Sequence, residues 1–580
     1  MKFANSPLLS QLLPAWRARV VVFLLLGAFA LLAGRSAYLQ VVRNDFLQQK
    51  GESRYSRVIE LSATRGRISD RQGDVLAVST PVKSVWAIPE DARLTPAQGR
   101  ELAQLLDVDV RELNRKLAAE REFVYLKRQI PPDASERIAA LNLPGIHQQR
   151  EYRRFYPTGE VAAHVLGFTG VEDKGQEGIE LAMESALAGK PGSRRVIKDR
   201  LGQIVEDVES IKPPRDGREV TLALDAKIQY LAYTNLKQTL IEQKAKAGGV
   251  VVLDAKTGEI LALANLPAYN PNNRTKLTGA QLRNRALTDV FEPGSTMKPF
   301  TVALALEKGH YRFDSQIQTA PGRLTIGNAT ISDAHPHGML TVAQIIQKSS
   351  NVGAAKIAGT FAPEEMWQMF DALGFGQPIK LGFPGEVGGR LRPHKTWRPI
   401  EQATMSYGHG ISVTLMQLAR AYLVFARDGD LIPLSLTRQD TPPLAGKSVF
   451  SAQTARDVRV MLEMAVQPGG TAPKAQIPGY RVAGKTGTAH KLEGGSYADR
   501  YVSAFVGFAP VSDPRLVVAV MIDEPSAGRY YGGEVAAPVF AQVMAGSLRT
   551  LGVAPDAPLR PLQVARDGSP VAAPAGRERL

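Results

Sequence analysis

The sequence predicts a multidomain α+β protein: a single N-terminal transmembrane helix, an α+β pedestal domain, and a C-terminal domain of helices packed on an antiparallel sheet. Three observations carry this reading. An apolar run preceded by basic residues opens the chain. A Pro-rich break, Lys212-Pro213-Pro214-Arg215-Asp216-Gly217, divides the remainder of the chain in two. Beyond the break, apolar strand-like runs stand at both ends of a stretch whose middle reads as helices. The expected organisation is therefore a cytoplasmic N-terminus over 1–19, a transmembrane helix over 20–39, a pedestal over 45–215, a C-terminal domain over 218–549 and a disordered tail over 550–580. The 580 residues suffice for several domains, and a hydrophobic fraction of 44% is ample for buried cores.

The first element is a bitopic anchor. Val20 to Gly34 is uninterrupted apolar sequence, and Arg35 at its end can snorkel, extending the usable span to Leu39. Lys2, Arg17 and Arg19 precede it, which orients the N-terminus to the cytoplasm and the rest of the chain outside. Ala28-Phe29-Ala30 has the shape of a signal-peptidase site, but the apolar run continues past it. The net charge of +15 favours anionic partners. Without zinc-finger spacing, an RNA-recognition signature or a lysine-rich tail, nucleic acid is the weaker choice among them. There is no cysteine, which removes disulfides and thiolate metal sites.

The pedestal reads as short elements. Arg65 to Ala77 is a strand, a turn at Gln72-Gly73-Asp74 and a second strand. Helical spacing covers about 95–119 and 133–141. Arg154-Phe155-Tyr156-Pro157 and Gly175-Gln176-Glu177-Gly178-Ile179-Glu180 come next, then a hairpin from Arg194 to Val208 around Arg200-Leu201-Gly202. The glutamates look scattered and no catalytic constellation is visible.

The C-terminal domain opens with a strand over Val220–Asp225 and a helix over about 226–244. Two buried strands between Gly249 and Ala264 form a hairpin. An apolar helix runs from Phe300 to Glu307, another from about Thr341 to Gln347, and a third from Val352 to Ala358. Tyr480–Ala489 is an edge strand, Tyr501–Ala509 and Leu516–Ile522 are further strands, and a helix over about 538–548 closes the domain.

Three short motifs lie on these elements. Ser295-Thr296-Met297-Lys298 comes after a Glu-Pro-Gly turn; at a helix start, positions i and i+3 share a face, so the hydroxyl and the amine come within reach. That is the minimum for an activated serine, and a helix N-terminus adds free N–H groups for an oxyanion. Alone, the motif is a weak signal that reads first as an exposed helix start with a solvated lysine, and about one is due by chance in a chain this long. Ser349-Ser350-Asn351 breaks the next helix, and Lys485-Thr486-Gly487 lies in the edge strand with Thr488 after it. An earlier Lys256-Thr257-Gly258 is ordinary turn chemistry.

Ser-x-x-Lys, Ser-x-Asn and Lys-Thr-Gly, in that order, form the signature of penicillin-binding proteins and serine β-lactamases. The chain resembles a class B penicillin-binding protein, more narrowly the division-specific septal peptidoglycan D,D-transpeptidase (FtsI type). The likeness covers nearly the whole chain, including Arg65–Gly73, Arg154–Pro157, Ala264–Asn272 and Tyr530-Tyr531-Gly532-Gly533. No glycan-polymerising segment precedes the pedestal, unlike the bifunctional class A enzymes. The resemblance implies an elongated pedestal and a five-stranded antiparallel sheet. It implies Ser295, Lys298, Ser349 and Lys485 as catalytic groups and Asn351, Thr486, Gly487 and Thr488 as substrate-binding ones. It also implies D-Ala-D-Ala stem peptides as donors, β-lactams as inhibitors, and a septal glycan polymerase and divisome membrane proteins as partners. The implied location is a bacterial inner membrane with the catalytic domain in the periplasm, with no cofactor and no metal. Asp333-Ala334-His335-Pro336-His337 accordingly reads as a solvated loop. An elongation-type transpeptidase and a non-enzymatic β-lactam sensor or scaffold are the alternatives. One departure stands out: Gly408-His409-Gly410 replaces the family's Gly-Tyr-Gly, so His409 is either a titratable group in the cleft or a substitute aromatic wall.

Overall fold

A computed structural model describes residues 15–43, 56–121, 123–198, 204–441, 443 and 445–558. The chain divides into two compact units: the described residues of Met1–Thr64 with Gly189–Gly217, and those of Arg65–Ala188 with Arg218–Leu580.

In the first unit an α-helix covers Ala15–Ala37 and passes into a π-helical turn, Tyr38–Val42. The helix thus starts five residues ahead of the predicted span. Its apolar side chains are exposed all round, as suits a helix that meets lipid rather than protein. The 27 residues of Ala15–Val41 are long enough to cross a bilayer. Three antiparallel strands, Ser56–Leu61, Gly192–Lys198 and Ile204–Lys212, complete this unit. The last two are the arms of the predicted hairpin; its turn at 200–202 lies outside the described residues.

The second unit begins with a sheet built on the long strand Val75–Ala87, paired antiparallel to Val124–Ile130 and to Ile146–Phe155. Val85, Leu102, Leu106, Leu113 and Leu126 form the small core beneath it. The helix predicted over 95–119 is two helices, Pro96–Leu106 and Val110–Leu117, because Asp107 turns left-handed (φ 50°) and Asp109 caps the second. The scattered glutamates also resolve. Glu180 is fully buried and receives Arg65 Nε at 2.6 Å and Arg154 Nε at 2.7 Å. Arg65 also reaches Glu184 at 2.7 Å, and Arg154 donates to the Gly66 carbonyl at 2.8 Å. The two arginines stand 89 residues apart in sequence, so the cluster ties the segment before Ile68 to the strand Ile146–Phe155 through one carboxylate.

The strand predicted over Val220–Asp225 shrinks to Val220–Thr221. It pairs parallel to Ile68–Ser69, in the sheet preceding the break rather than the one beyond it. Asp225 instead caps helix α1 (Ala226–Glu242), accepting from the Lys227 and Ile228 N–H groups at 3.0 and 3.1 Å.

The larger sheet has five antiparallel strands: β1 (Ala247–Asp254), β2 (Ile260–Leu266), β3 (Ala483–Glu493), β4 (Ser496–Ala509) and β5 (Leu516–Asp523), in the spatial order β2-β1-β5-β4-β3. The central strands are apolar throughout because both faces are covered. Val251 and Leu253 point to a core that includes Phe300, Tyr422 and Phe425; Val250 and Val252 point to one that includes Ile228, Leu236 and Phe540. On the first side lie α2 (Lys298–Glu307), α3 (Val342–Lys348), α4 (Asn351–Ala358) and α5 (Leu415–Ala426). On the other, α1 is joined by α6 (Gly532–Thr550). That closing helix begins six residues before the predicted start and accommodates Pro538 internally. Residues just past it, read from sequence as disordered tail, are tied down. Asp556 accepts from Arg481 N at 2.7 Å and from Ser512 Oγ at 2.9 Å, and Tyr480 donates to the Val553 carbonyl at 2.6 Å. Residues 559–580 lie outside the described residues.

Candidate active site

Ser295 sits in a 3-10 turn, Gly294–Met297, that runs directly into α2. The tighter turn carries its side chain round to Lys298 at the first α-helical position, and Lys298 Nζ lies 2.9 Å from Ser295 Oγ. Lys298 is fully buried. Its Nζ meets the Ser349 carbonyl at 2.5 Å and Ser349 Oγ at 3.1 Å. From the opposite wall Lys485, also fully buried, meets the same Ser349 Oγ at 2.9 Å. Three elements far apart in sequence thus converge on one hydroxyl.

Ser349 takes this place because α3 ends on it in the left-handed region, φ 61°. A non-glycine residue there stores strain of about 1–3 kcal/mol, held by its surroundings. Ser349 N–H closes the helix on the Ile345 and Ile346 carbonyls, and Asp333 anchors the residues that follow it. Its Oδ1 accepts from the Asn351 and Val352 N–H groups at 2.5 and 2.9 Å, and its Oδ2 from Ser350 Oγ at 2.7 Å. Ser350 in turn caps α4 through the Gly353 N–H at 2.9 Å. Asp333 therefore satisfies the first N–H groups of α4 and meets the positive end of its dipole. It stands just after the strand Ala329–Ser332, 17 residues from Ser350, so no local sequence pattern discloses it. His335, in the same run, is exposed.

Asn351 Nδ2 donates to the Ser332 carbonyl at 2.9 Å, which fixes the amide and leaves its oxygen for other partners. Thr486 Oγ1 lies 3.2 Å from Thr471 Oγ1 and 3.3 Å from Lys485 Nζ. Thr488 Oγ1 accepts from Gly532 N at 3.0 Å, linking the edge strand β3 to the start of α6. Gly487 is the contact between β3 and the nucleophile turn: a Cβ there would stand 2.6 Å from the Pro293 carbonyl oxygen. Gly408 is equally constrained, with φ 86° and the Gly294 oxygen 2.2 Å from any added Cβ. The segments that carry the eight residues singled out in the sequence thus meet where β3 approaches the nucleophile turn and the junction of α3 and α4.

The electrostatics are set by burial. Desolvation first, and the Lys485 ammonium second, push the Lys298 amine well below its ordinary value, against the opposing pull of Asp333. Burial pushes Lys485 down to about 7. The same burial favours the neutral amine of Lys298, the form with two N–H donors and one lone pair. Since the Ser349 carbonyl can only accept, one N–H is committed there, and the lone pair is free to face the Ser295 hydroxyl.

His409 packs against Tyr407 with ring centroids 5.3 Å apart and against Tyr497 at 5.9 Å. Burial holds it below the ordinary histidine value, opposed by Glu292 at 3.9 Å. Glu292 accepts from Gly410 N at 2.8 Å and from Tyr497 Oη at 3.1 Å. His409 therefore occupies an aromatic wall and also faces a carboxylate.

A family model, the penicillin binding protein transpeptidase domain, matches residues 248–545. The chain belongs to the penicillin-binding protein transpeptidase family. A second model, the penicillin-binding protein dimerisation domain, matches residues 60–222. Among relatives, the probable peptidoglycan D,D-transpeptidase PenA of Neisseria gonorrhoeae is 46% identical over 94% of both chains. The peptidoglycan D,D-transpeptidase FtsI of Escherichia coli K12 is 42% identical over 94% of this chain and 93% of its own. The solved transpeptidase domain of Burkholderia pseudomallei penicillin-binding protein 3 is 51% identical, covers 58% of this chain and 98% of its own, and superposes with a TM-score of 0.54. A peptidoglycan synthetase from Bifidobacterium adolescentis, 26% identical, covers 87% of this chain and 98% of its own with a TM-score of 0.69. That breadth takes in the sheets of both the penicillin-binding domain and the region before it.

Proposed function

We propose that this protein is a peptidoglycan D,D-transpeptidase that cross-links stem peptides of the septal wall during cell division. The observation that carries the chemistry is the Ser349 hydroxyl, shared by Lys298 beside Ser295 and by Lys485. Ser295 Oγ attacks the penultimate carbonyl of a stem ending in D-Ala-D-Ala, and Lys298 takes its proton. The backbone N–H groups of Ser295 and Thr488 receive the oxyanion. The C–N bond then breaks. Ser349 relays a proton from Lys298 to the departing D-Ala amine, which leaves an acyl-enzyme on Ser295. An amine of a neighbouring stem attacks that ester, its proton returns through the same groups, and Ser295 is regenerated as the new amide forms. Lys485, Thr486 and Thr488 hold the donor's terminal carboxylate, and Asn351 holds its peptide group. β-Lactams acylate Ser295 in the donor's place.

The organisation that goes with this reading is the bitopic anchor, the pedestal over 45–215 and the transpeptidase domain over 218–549. The N-terminus lies in the cytoplasm and the catalytic domain in the periplasm of a bacterial inner-membrane protein. A septal glycan polymerase and divisome membrane proteins are the partners. The names of the relatives at 42–46% identity support cross-linking over simple hydrolysis. The test is product analysis with a donor stem and an amine acceptor. Cross-linked dimer that disappears with penicillin supports the reading; release of D-Ala with no dimer at any acceptor concentration refutes it.

A further inference from the structure

A cleft of about 510 Å³ has Ala489, next to Thr488, and Glu292, three residues before Ser295, in its lining. Side chains two apart on a strand share a face, so Ala489 continues the face that carries Lys485 and Gly487. Lys491, in the bulge after His490, lines the cleft as well. Its floor is apolar, with Phe291, Ile411 and Val502 nearly fully buried. Its rim is charged, and almost every charge is already engaged. Arg392 pairs with Glu401 at 2.7 Å. Lys491 pairs with Asp523 at 2.8 Å and Glu524 at 2.6 Å. Both oxygens of Glu292 accept hydrogen bonds, from Gly410 N and Tyr497 Oη. Arg390 differs. Its backbone is fixed by a reciprocal pair of hydrogen bonds with Ser412, at 2.8 and 3.1 Å, while its guanidinium is exposed and has no partner among the described residues.

We propose that this cleft is a subsite for a carboxylate carried by the donor stem upstream of the bond Ser295 attacks, with Arg390 as the partner of that carboxylate. The inference rests on the reading of Ser295 as nucleophile and of Lys485–Thr488 as the seat of the terminal carboxylate. From Thr488 to Lys491 an extended strand advances by about 10 Å. The second carboxylate therefore belongs two or three residues before the scissile bond. The apolar floor takes the aliphatic part of that residue. A planar guanidinium offers two parallel N–H groups to a carboxylate.

The test uses the purified full-length protein and two thioester donors, identical except that the upstream carboxylate is a carboxamide in one. Wild type should be acylated by the carboxylate donor with kcat/KM about ten-fold higher than by the amide, through KM. Arg390→Ala should erase that preference and Arg390→Glu should invert it. Benzylpenicillin, which lacks the upstream group, should label all three proteins at equal rates, which also shows that the variants fold. A preference retained in both variants, or absent in wild type, overturns the subsite while penicillin labelling leaves Ser295 in place. An Arg390 effect confined to partition of the acyl-enzyme between water and amine assigns the cleft to the acceptor and overturns the proposal. Loss of penicillin labelling in wild type would end the underlying reading instead.

Discussion

Asp333→Asn probes the one group that shapes the catalytic loop without belonging to it. The carboxylate accepts three hydrogen bonds, two from backbone N–H groups that α4 leaves open and one from Ser350. The amide keeps one acceptor oxygen and turns an NH2 toward a hydroxyl that already accepts from Gly353 N. One hydrogen bond to a charged acceptor is lost, worth about 1.5–3 kcal/mol. The favourable meeting with the helix dipole goes too, at about 0.3–1 kcal/mol. The expected destabilisation is about 2–4 kcal/mol, which lowers Tm by roughly 4–15 °C for a domain of this size. Because Asp333 anchors the residues that follow Ser349, the left-handed strain at Ser349 becomes free to relax, and the shared hydroxyl leaves both amines. A displacement of about 1 Å costs about 100-fold in rate. Circular-dichroism melts and stopped-flow acylation by a chromogenic cephalosporin read the two effects together. An unchanged Tm and an unchanged acylation rate in Asp333→Asn would show that the loop is set by something else.

The same geometry predicts other outcomes. Ser349→Ala removes the relay between the two lysines and should slow penicillin acylation by about 10²–10⁴-fold, with intact Tm, because this serine is only part-buried. Lys485, held near pH 7, loses its charge as pH rises through about 7, so the apparent affinity for carboxylate-bearing β-lactams should fall above that pH. The stability effect has the opposite sign. Both buried lysines titrate lower in the folded than in the unfolded chain, so the unfolded state binds more protons, and Tm should rise between pH 7 and the ordinary lysine range. Lys485→Met should flatten that rise. Glu180→Gln leaves Arg154 buried without its carboxylate partner and Arg65 with Glu184 alone, and should cost about 3–5 kcal/mol in a thermal or urea melt.

The site was legible in the sequence to the extent that its chemistry is local. Ser295 and Lys298 are three apart on one turn, and Lys485, Gly487 and Thr488 share a strand, so each motif carries its own geometry. The strands of the larger sheet were equally plain, because apolar runs such as Val250–Leu253 admit little else. What escaped is what long-range contact decides. Asp333 caps a helix from across 17 residues, and Glu180 meets arginines from 26 and 115 residues away. Val220–Thr221 has strand composition, but only the packed structure gives it to the sheet of Ile68–Ser69. The helix break at Asp107 needed a left-handed residue that is not glycine, which composition does not announce. His409 was left between two roles, and its neighbours Tyr407, Tyr497 and Glu292 give it both surroundings.

The central claim is that Ser295 is the residue acylated, because Lys298 stands 2.9 Å away as a base whose charged form burial disfavours. Intact-mass measurement after penicillin treatment, on wild type and on Ser295→Ala, tests it most directly. The account predicts one penicilloyl adduct on wild type, mapped to the peptide containing Ser295, and none on the variant. A full adduct on Ser295→Ala would contradict it.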